Sequence, residues 1–248
     1  MSGNKAEGSK LTGDDKMKRL FALLLAAAML IALASCGSPV ENTEVKPVND
    51  TPAEQPAEDG TAEDEPSGSV QTDSGVLVVY FSRTGEQYTV GVIDEGNTAI
   101  VAKMIAEQTG AELFEVLPVD DHYPMTYAEL TDVAKQEQSE NARPAYVSEV
   151  PDLSRYHTIF IGAPVWWGDW PMIMYTFFEE NADALAGKNL VPFSTHEGSG
   201  LSGFDRKLYS ACPGGTVLDG LAIRGNDCQN KQDSVRDAVG DWLSGLGF

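Results

Sequence analysis

Three short stretches of this sequence gather residue types that could hold an anion beside a flat aromatic ligand. Ser82-Arg83-Thr84-Gly85 follows an apolar run and offers two hydroxyls, a cation and a glycine. Asn97-Thr98 then opens an amphipathic pattern. Hydroxyls, approachable backbone N–H groups and the positive end of a helix dipole are what a phosphate needs. Alone, the first stretch is a weak signal, because Ser and Thr are ordinary helix caps. Arg83 has two readings, a bidentate partner of phosphate or a side chain that points to solvent. The second stretch, Pro164-Val165-Trp166-Trp167-Gly168-Asp169-Trp170, crowds three indoles together. They could line a planar ligand, with indole N–H groups that need partners, or form a hydrophobic lid or dimer patch. The third, Thr195-His196-Glu197-Gly198-Ser199-Gly200, again mixes hydroxyls and glycines, now with an imidazole and a carboxylate.

Other chemistries find little support. No Ser-His-Asp order, H-E-x-x-H or paired-carboxylate arrangement is present, so no catalytic residue is assigned. His122 lies in a polar connection and His157 begins an apolar run, which leaves His196 as the histidine placed for a ligand. Cys212 and Cys228 show no metal-ligand spacing, and either a disulfide or two free thiols suits them.

The elements that must position these stretches alternate. Apolar runs rich in β-branched residues at 76–81, 112–117, 157–164, 189–194 and 217–223 read as strands. Helical patterns at 97–110, 127–141, 172–178, 203–212 and 234–243 separate and follow them, the third behind Pro171, a favoured first-turn residue. Such alternation predicts an α/β fold with a doubly wound parallel sheet, helices on both faces. Ligands of such sheets sit at the carboxyl ends of strands where the strand order reverses. The three stretches follow strands one, three and four.

The strings Tyr80-Phe81-Ser82-Arg83-Thr84-Gly85 with Asn97-Thr98, Ala163-Pro164-Val165-Trp166-Trp167-Gly168-Asp169 and Ser194-Thr195-His196-Glu197-Gly198-Ser199-Gly200 resemble the three cofactor loops of the flavodoxin-like family. The resemblance covers residues 76–248 and is sharpest to a subfamily common in anaerobic bacteria. It implies a five-stranded sheet of order 2-1-3-4-5 and noncovalent FMN. It implies cofactor contacts from Ser82, Arg83, Thr84, Gly85, Asn97, Thr98, Pro164, Val165, Trp166, Trp167, Gly168, Thr195, His196, Glu197, Gly198 and Ser199. Glu197 and Asp169 would then put negative charge near the flavin ring and lower its potential. Residues 87–96 interrupt the first loop and are more apolar than a solvent loop should be. They could fold over the site as a flap or pack on the neighbouring loop.

The remaining sequence reads as an address and a tether. Lys18-Arg19, an apolar run over 20–33 and small residues to Gly37 describe a secretory signal peptide. Leu33-Ala34-Ser35-Cys36 resembles the lipobox of bacterial lipoproteins, in which the cysteine is lipidated. The expected organisation is a leader over 1–35, lipidated Cys36 with an acidic disordered tether over 36–75, and the flavodoxin-like domain over 76–248. That domain would sit at the extracytoplasmic face of a bacterial membrane. It holds 11 of the 17 basic and 25 of the 38 acidic residues, which argues against a nucleic-acid partner. The function expected is electron transfer to or from a redox partner protein. The alternatives are an NAD(P)H-dependent flavin or quinone reductase acting on a small molecule, and a binding module without redox role.

Overall fold

The computed structural model describes residues 74–147 and 149–248. The leader, Cys36 and nearly all of the tether lie outside them. Strand β1 (Val76–Tyr80) is buried along its whole length and pairs in parallel with β4 (Glu112–Glu115) on one side and β5 (Thr158–Pro164) on the other. Beyond β5 lies β6 (Asn189–His196), and beyond that a fifth position shared by β7 (Thr216–Val217) and β8 (Leu221–Arg224). Numbered by sheet position along the chain, the order is the expected 2-1-3-4-5.

Period-two alternation sends successive residues of β1 to opposite faces. Leu77 and Val79 join one core and Val76, Val78 and Tyr80 the other. The second face is covered by α1 (Asn97–Thr109), through Ile100, Val101, Met104 and Ile105, and by α7 (Gln232–Leu246), through Val235, Val239 and Leu243. The first face is covered by α2 (Tyr127–Glu140), α3 (Met172–Glu180) and α5 (Phe204–Ala211), whose Phe177, Phe178, Phe204 and Leu208 are fully buried. Each such side chain contributes roughly 1.5–3 kcal/mol on leaving water. Short α4 (Ala182–Leu185) and α6 (Gly225–Asn230) complete the layers.

Cys212 belongs to one core and Cys228 to the other, so the sheet separates two free thiols and no disulfide joins them. Burial pushes the Cys212 thiol up to about 11. Cys228 reaches about 12, with burial the main cause and Asp227 adding to it. Neither forms a thiolate near neutral pH.

The fifth strand, expected to be continuous, is broken. Leu190 pairs with Val217 but Phe193 pairs with Leu221, so β7 and β8 are separated by one residue more than the matching stretch of β6. Leu190 accepts a hydrogen bond from Leu218 N at 2.9 Å. Two residues on, Pro192 turns its main chain toward the same neighbour and has no N–H to give. The bulge falls where the ladder lacks its donor.

Candidate functional site

Gly96 allows the first loop to lie against the N-terminus of α1. A Cβ there would stand 2.1 Å from Ser82 Oγ and 2.7 Å from Arg83 O, so only glycine admits the approach. Ser82 Oγ accepts from Ala99 N at 3.0 Å, taking one amide of the first helical turn. Its own hydroxyl hydrogen remains to be donated. Buried Thr98 shares a 2.7 Å hydrogen bond with Thr195 Oγ1, which ties the helix start to the end of β6. The first and third sequence stretches thus form one polar surface, on the positive end of a helix of 13 residues.

Residues 87–96 do not form a plain loop. They belong to a hairpin of β2 (Gly85–Gln87) and β3 (Gly91–Ile93), with Thr89 at φ +58° near its tip. The hairpin docks on the segment before α2. Glu86 N donates to Met125 O at 2.8 Å, Tyr127 N donates to Glu86 Oε2 at 2.8 Å, and Tyr88 stacks on Tyr127 with ring centroids 5.4 Å apart. Both expectations for the insert hold together, because Gln87, Tyr88 and Val90 also wall a cavity at the strand ends.

That cavity, about 310 Å³, lies at the carboxyl ends of β1, β5 and β6. One end is polar, with Ser82, Asn97, Thr98, Thr195 and Glu197, and the other is apolar, with Tyr127, Leu130, Ala134, Trp166 and Trp167. Its size is near the lower end of the range for small-molecule sites, roughly 300–1,000 Å³. The arrangement can grip an anion at one end and a flat ring at the other.

The Trp-rich stretch forms the ring-side wall. Trp166 and Asp169 exchange two backbone hydrogen bonds of 2.9 Å, closing a two-residue turn with Trp167 at φ +51° and Gly168 at φ +75°. Two positive φ values define a type I′ turn. Trp167 is held there by an Nε1–H bond to Thr131 O at 2.8 Å and by Lys135 over its ring at 4.9 Å. Trp166 packs edge-on against Phe81 and Tyr123. Trp170 turns into the core, stacked on Phe204, and has no place in the cavity wall.

A family model described as flavodoxin matches residues 75–242. The chain belongs to the flavodoxin family. Among solved structures, it is similar to a Bacteroides uniformis protein classed as a flavoprotein, with 28% identity over 66% of this chain and 97% of that one and a TM-score of 0.52. A second, from Bacteroides eggerthii, gives 25% identity over 67% of this chain and 96% of that one, also at 0.52. A Lactobacillus acidophilus flavoprotein solved in complex with FMN is 21% identical over 64% of this chain and 97% of that one, at 0.49. No curated protein matches the sequence.

Within this flavodoxin fold most of the expected residues meet in one place. Ser82, Arg83, Asn97, Thr98, Pro164, Val165, Trp166, Trp167, Gly168, Thr195, His196, Glu197 and Ser199 line the cavity. Thr84, Gly85 and Gly198 do not. Thr84 O accepts from Gln87 Nε2, Gly85 opens β2 against Met125, and Gly198 N donates to His196 Nδ1 at 2.8 Å. The sequence reading missed the α2 wall (Tyr127, Leu130, Thr131, Ala134) and Gly225.

Three charged residues differ from expectation. Arg83 points neither to solvent nor with its fork to the helix start. Its Nη1 sits on both Asp121 carboxylate oxygens at 2.7 and 2.9 Å, and Nη2 donates to Tyr123 O. Its buried Nε has no partner among the described residues. Asp169 is turned from the cavity onto Trp170 N, Tyr175 OH and Lys207 Nζ. Glu197 lines the cavity, but Asn226 N donates to it at 2.6 Å and Arg224 lies 3.6 Å away. Neither carboxylate is a bare negative charge beside a ligand. His196 is held below its ordinary value, chiefly by burial and also by Arg224, against the pull of Glu197. Because its Nδ1 accepts from Gly198, the neutral ring carries its proton on Nε2.

Proposed function

We propose that this flavodoxin-family protein binds FMN noncovalently in the cavity and exchanges electrons with a redox partner protein. The observation that carries the reading is the two-ended cavity at three strand ends, polar at the helix start and aromatic at the Trp turn. FMN has the same two ends, a terminal phosphate and a flat ring. The residues present fit it. The glycine-tight loop at Gly96, the spare hydrogen of Ser82 and the orphaned Nε of Arg83 suit a phosphate. Ser82, Arg83, Asn97 and Thr98 would hold that group, and Pro164, Val165, Trp166, Trp167, Gly168, Thr195, His196, Glu197 and Ser199 the remainder.

When bound, FMN supplies the redox chemistry, and the protein positions and tunes it. Trp166, Tyr88 and Leu130 exclude water from the ring end, where hydrogen bonds strengthen as solvent leaves. His196 stays neutral near physiological pH and offers Nε2–H as a hydrogen-bond donor rather than an acid. The excess of acid over base in the domain favours docking a basic partner. A lipid on Cys36 would hold the domain at the extracytoplasmic face of a bacterial membrane. Cys36→Ser should release the protein from the membrane fraction or leave its precursor uncleaved; unchanged fractionation and an unchanged N-terminal peptide mass would refute the anchor.

One observation favours a second reading, an NAD(P)H-dependent reductase of flavins or quinones. Tyr88 and Trp167 are each about half exposed at 55% and 51%, and offer aromatic surface to a flat small molecule. Stopped-flow reduction of the FMN-loaded protein by NADH and NADPH separates the two. A carrier shows negligible oxidation of either, and its exchange with a protein partner slows as salt is added. Rapid turnover with small quinones, independent of salt and of any partner, would establish the reductase instead.

A further inference from the structure

Lys207, on α5, holds a turn 39 residues before it. Its Nζ donates to Gly168 O, lies 3.1 Å from Asp169 Oδ1 and reaches Ser202 O at 3.3 Å. The same Asp169 oxygen accepts from Trp170 N at 2.8 Å and Tyr175 OH at 2.9 Å. All these contacts converge on the wall at which Trp167 and Gly168 line the cavity.

The turn needs such a hold. Left-handed backbone at a residue with a Cβ costs roughly 1–2 kcal/mol, and Trp167 occupies it at φ +51°. Gly168 has no Cβ to restrict its own dihedrals, so its hydrogen bonds hold the peptide that follows it. The hydrogen bond from Asp169 N to Trp166 O at 2.9 Å orients the Gly168–Asp169 peptide, so the Gly168 carbonyl points out of the turn, toward Lys207. Lys207 supplies a second contact on that same peptide, from outside the turn. It also neutralises Asp169, the carboxylate adjacent in the turn.

We propose that Lys207 is a positioning residue for the cofactor site: it braces the Gly168 carbonyl and cancels the Asp169 charge, and so tunes the flavin affinity and potential. This rests on the FMN reading above. A carboxylate left without its cation behind that wall would disfavour added negative charge on the ring. Reduced flavin would then be held less well than oxidised flavin, and the potential would fall.

The test compares wild type, Lys207→Met and Lys207→Arg, reading FMN dissociation constants by fluorescence titration, midpoint potential by dye equilibration, and the apo-protein melting temperature. Loosening the wall that carries Trp167 and Gly168 should weaken FMN binding several-fold in Lys207→Met, with a more negative potential. Lys207→Arg, which keeps the charge, should retain a near wild-type potential. Wild type that binds no FMN would refute the cofactor reading and this inference with it. Wild type that binds, with Lys207→Met unchanged in affinity and potential or altered only in melting temperature, would overturn the inference alone. So would a Lys207→Arg potential as low as that of Lys207→Met.

Discussion

Ser82 Oγ accepts the amide hydrogen of Ala99 at 3.0 Å across the whole of the β2–β3 hairpin. A residue two places beyond the first strand therefore caps a helix that the chain begins only after the hairpin has intervened. The anion-facing loop and the helix start are one unit, and the hairpin is a detour from it.

Ser82→Ala should expose the consequence twice. Losing a side-chain cap costs about 1 kcal/mol of stability, which a urea melt would read as a lower midpoint with unchanged slope. The same substitution removes a donor at the polar end of the cavity, so FMN binding should weaken by about tenfold. A melt shifted as expected with FMN affinity intact would place the phosphate elsewhere.

Tyr88→Ala tests the detour. The side chain is 55% exposed and its main partner is the Tyr127 ring. Aromatic pairs of this kind contribute roughly 0.5–1.5 kcal/mol, so the fold should lose little. The cavity should lose a wall, seen as several-fold weaker FMN binding and increased quenching of the bound flavin by iodide. Equal quenching in wild type and variant would show that the hairpin does not cover the ring.

What could be read from the sequence divides by the range of the interaction. The apolar run of β1 and the stripe of Ile100, Val101, Met104 and Ile105 are local patterns, and both elements stand where they were expected. The Trp-rich and His-containing stretches end buried strands, so their convergence followed from the topology. Arg83 was not legible, because its partner Asp121 lies 38 residues away and the choice between carboxylate and phosphate is tertiary. Leu130 and Ala134 belong to a largely polar helix, which reads as a surface element and not as a cavity wall. The hairpin strands are only three residues each, below the length at which alternation is a signal. Its tip places Thr89 at positive φ, where a glycine would have announced the turn.

Stability should depend on pH through His122. Its Nε2 lies 2.9 Å from Glu137 Oε1, and Nδ1 lies 2.9 Å from Asp120 O. Burial works against the charged ring, but Glu137, the Asp120 carbonyl and Asp121 together raise its pKa above the ordinary 6.5. The stabilisation is therefore fully present below 6.5 and is lost as pH rises through the higher folded value. Urea midpoints should decline across that window in wild type and should be flatter in His122→Gln. The side chain is 46% exposed, so solvent keeps the effect small. A slope identical in both proteins would assign the pH dependence to another group.

The most direct test of the central claim is calorimetric titration of the purified protein, stripped of any bound flavin, with FMN, riboflavin and FAD. The two-ended cavity predicts one FMN per chain, markedly weaker riboflavin because the phosphate end goes unused, and FAD disfavoured beside FMN. A folded protein that takes up no FMN, or that binds riboflavin as tightly as FMN, would contradict it.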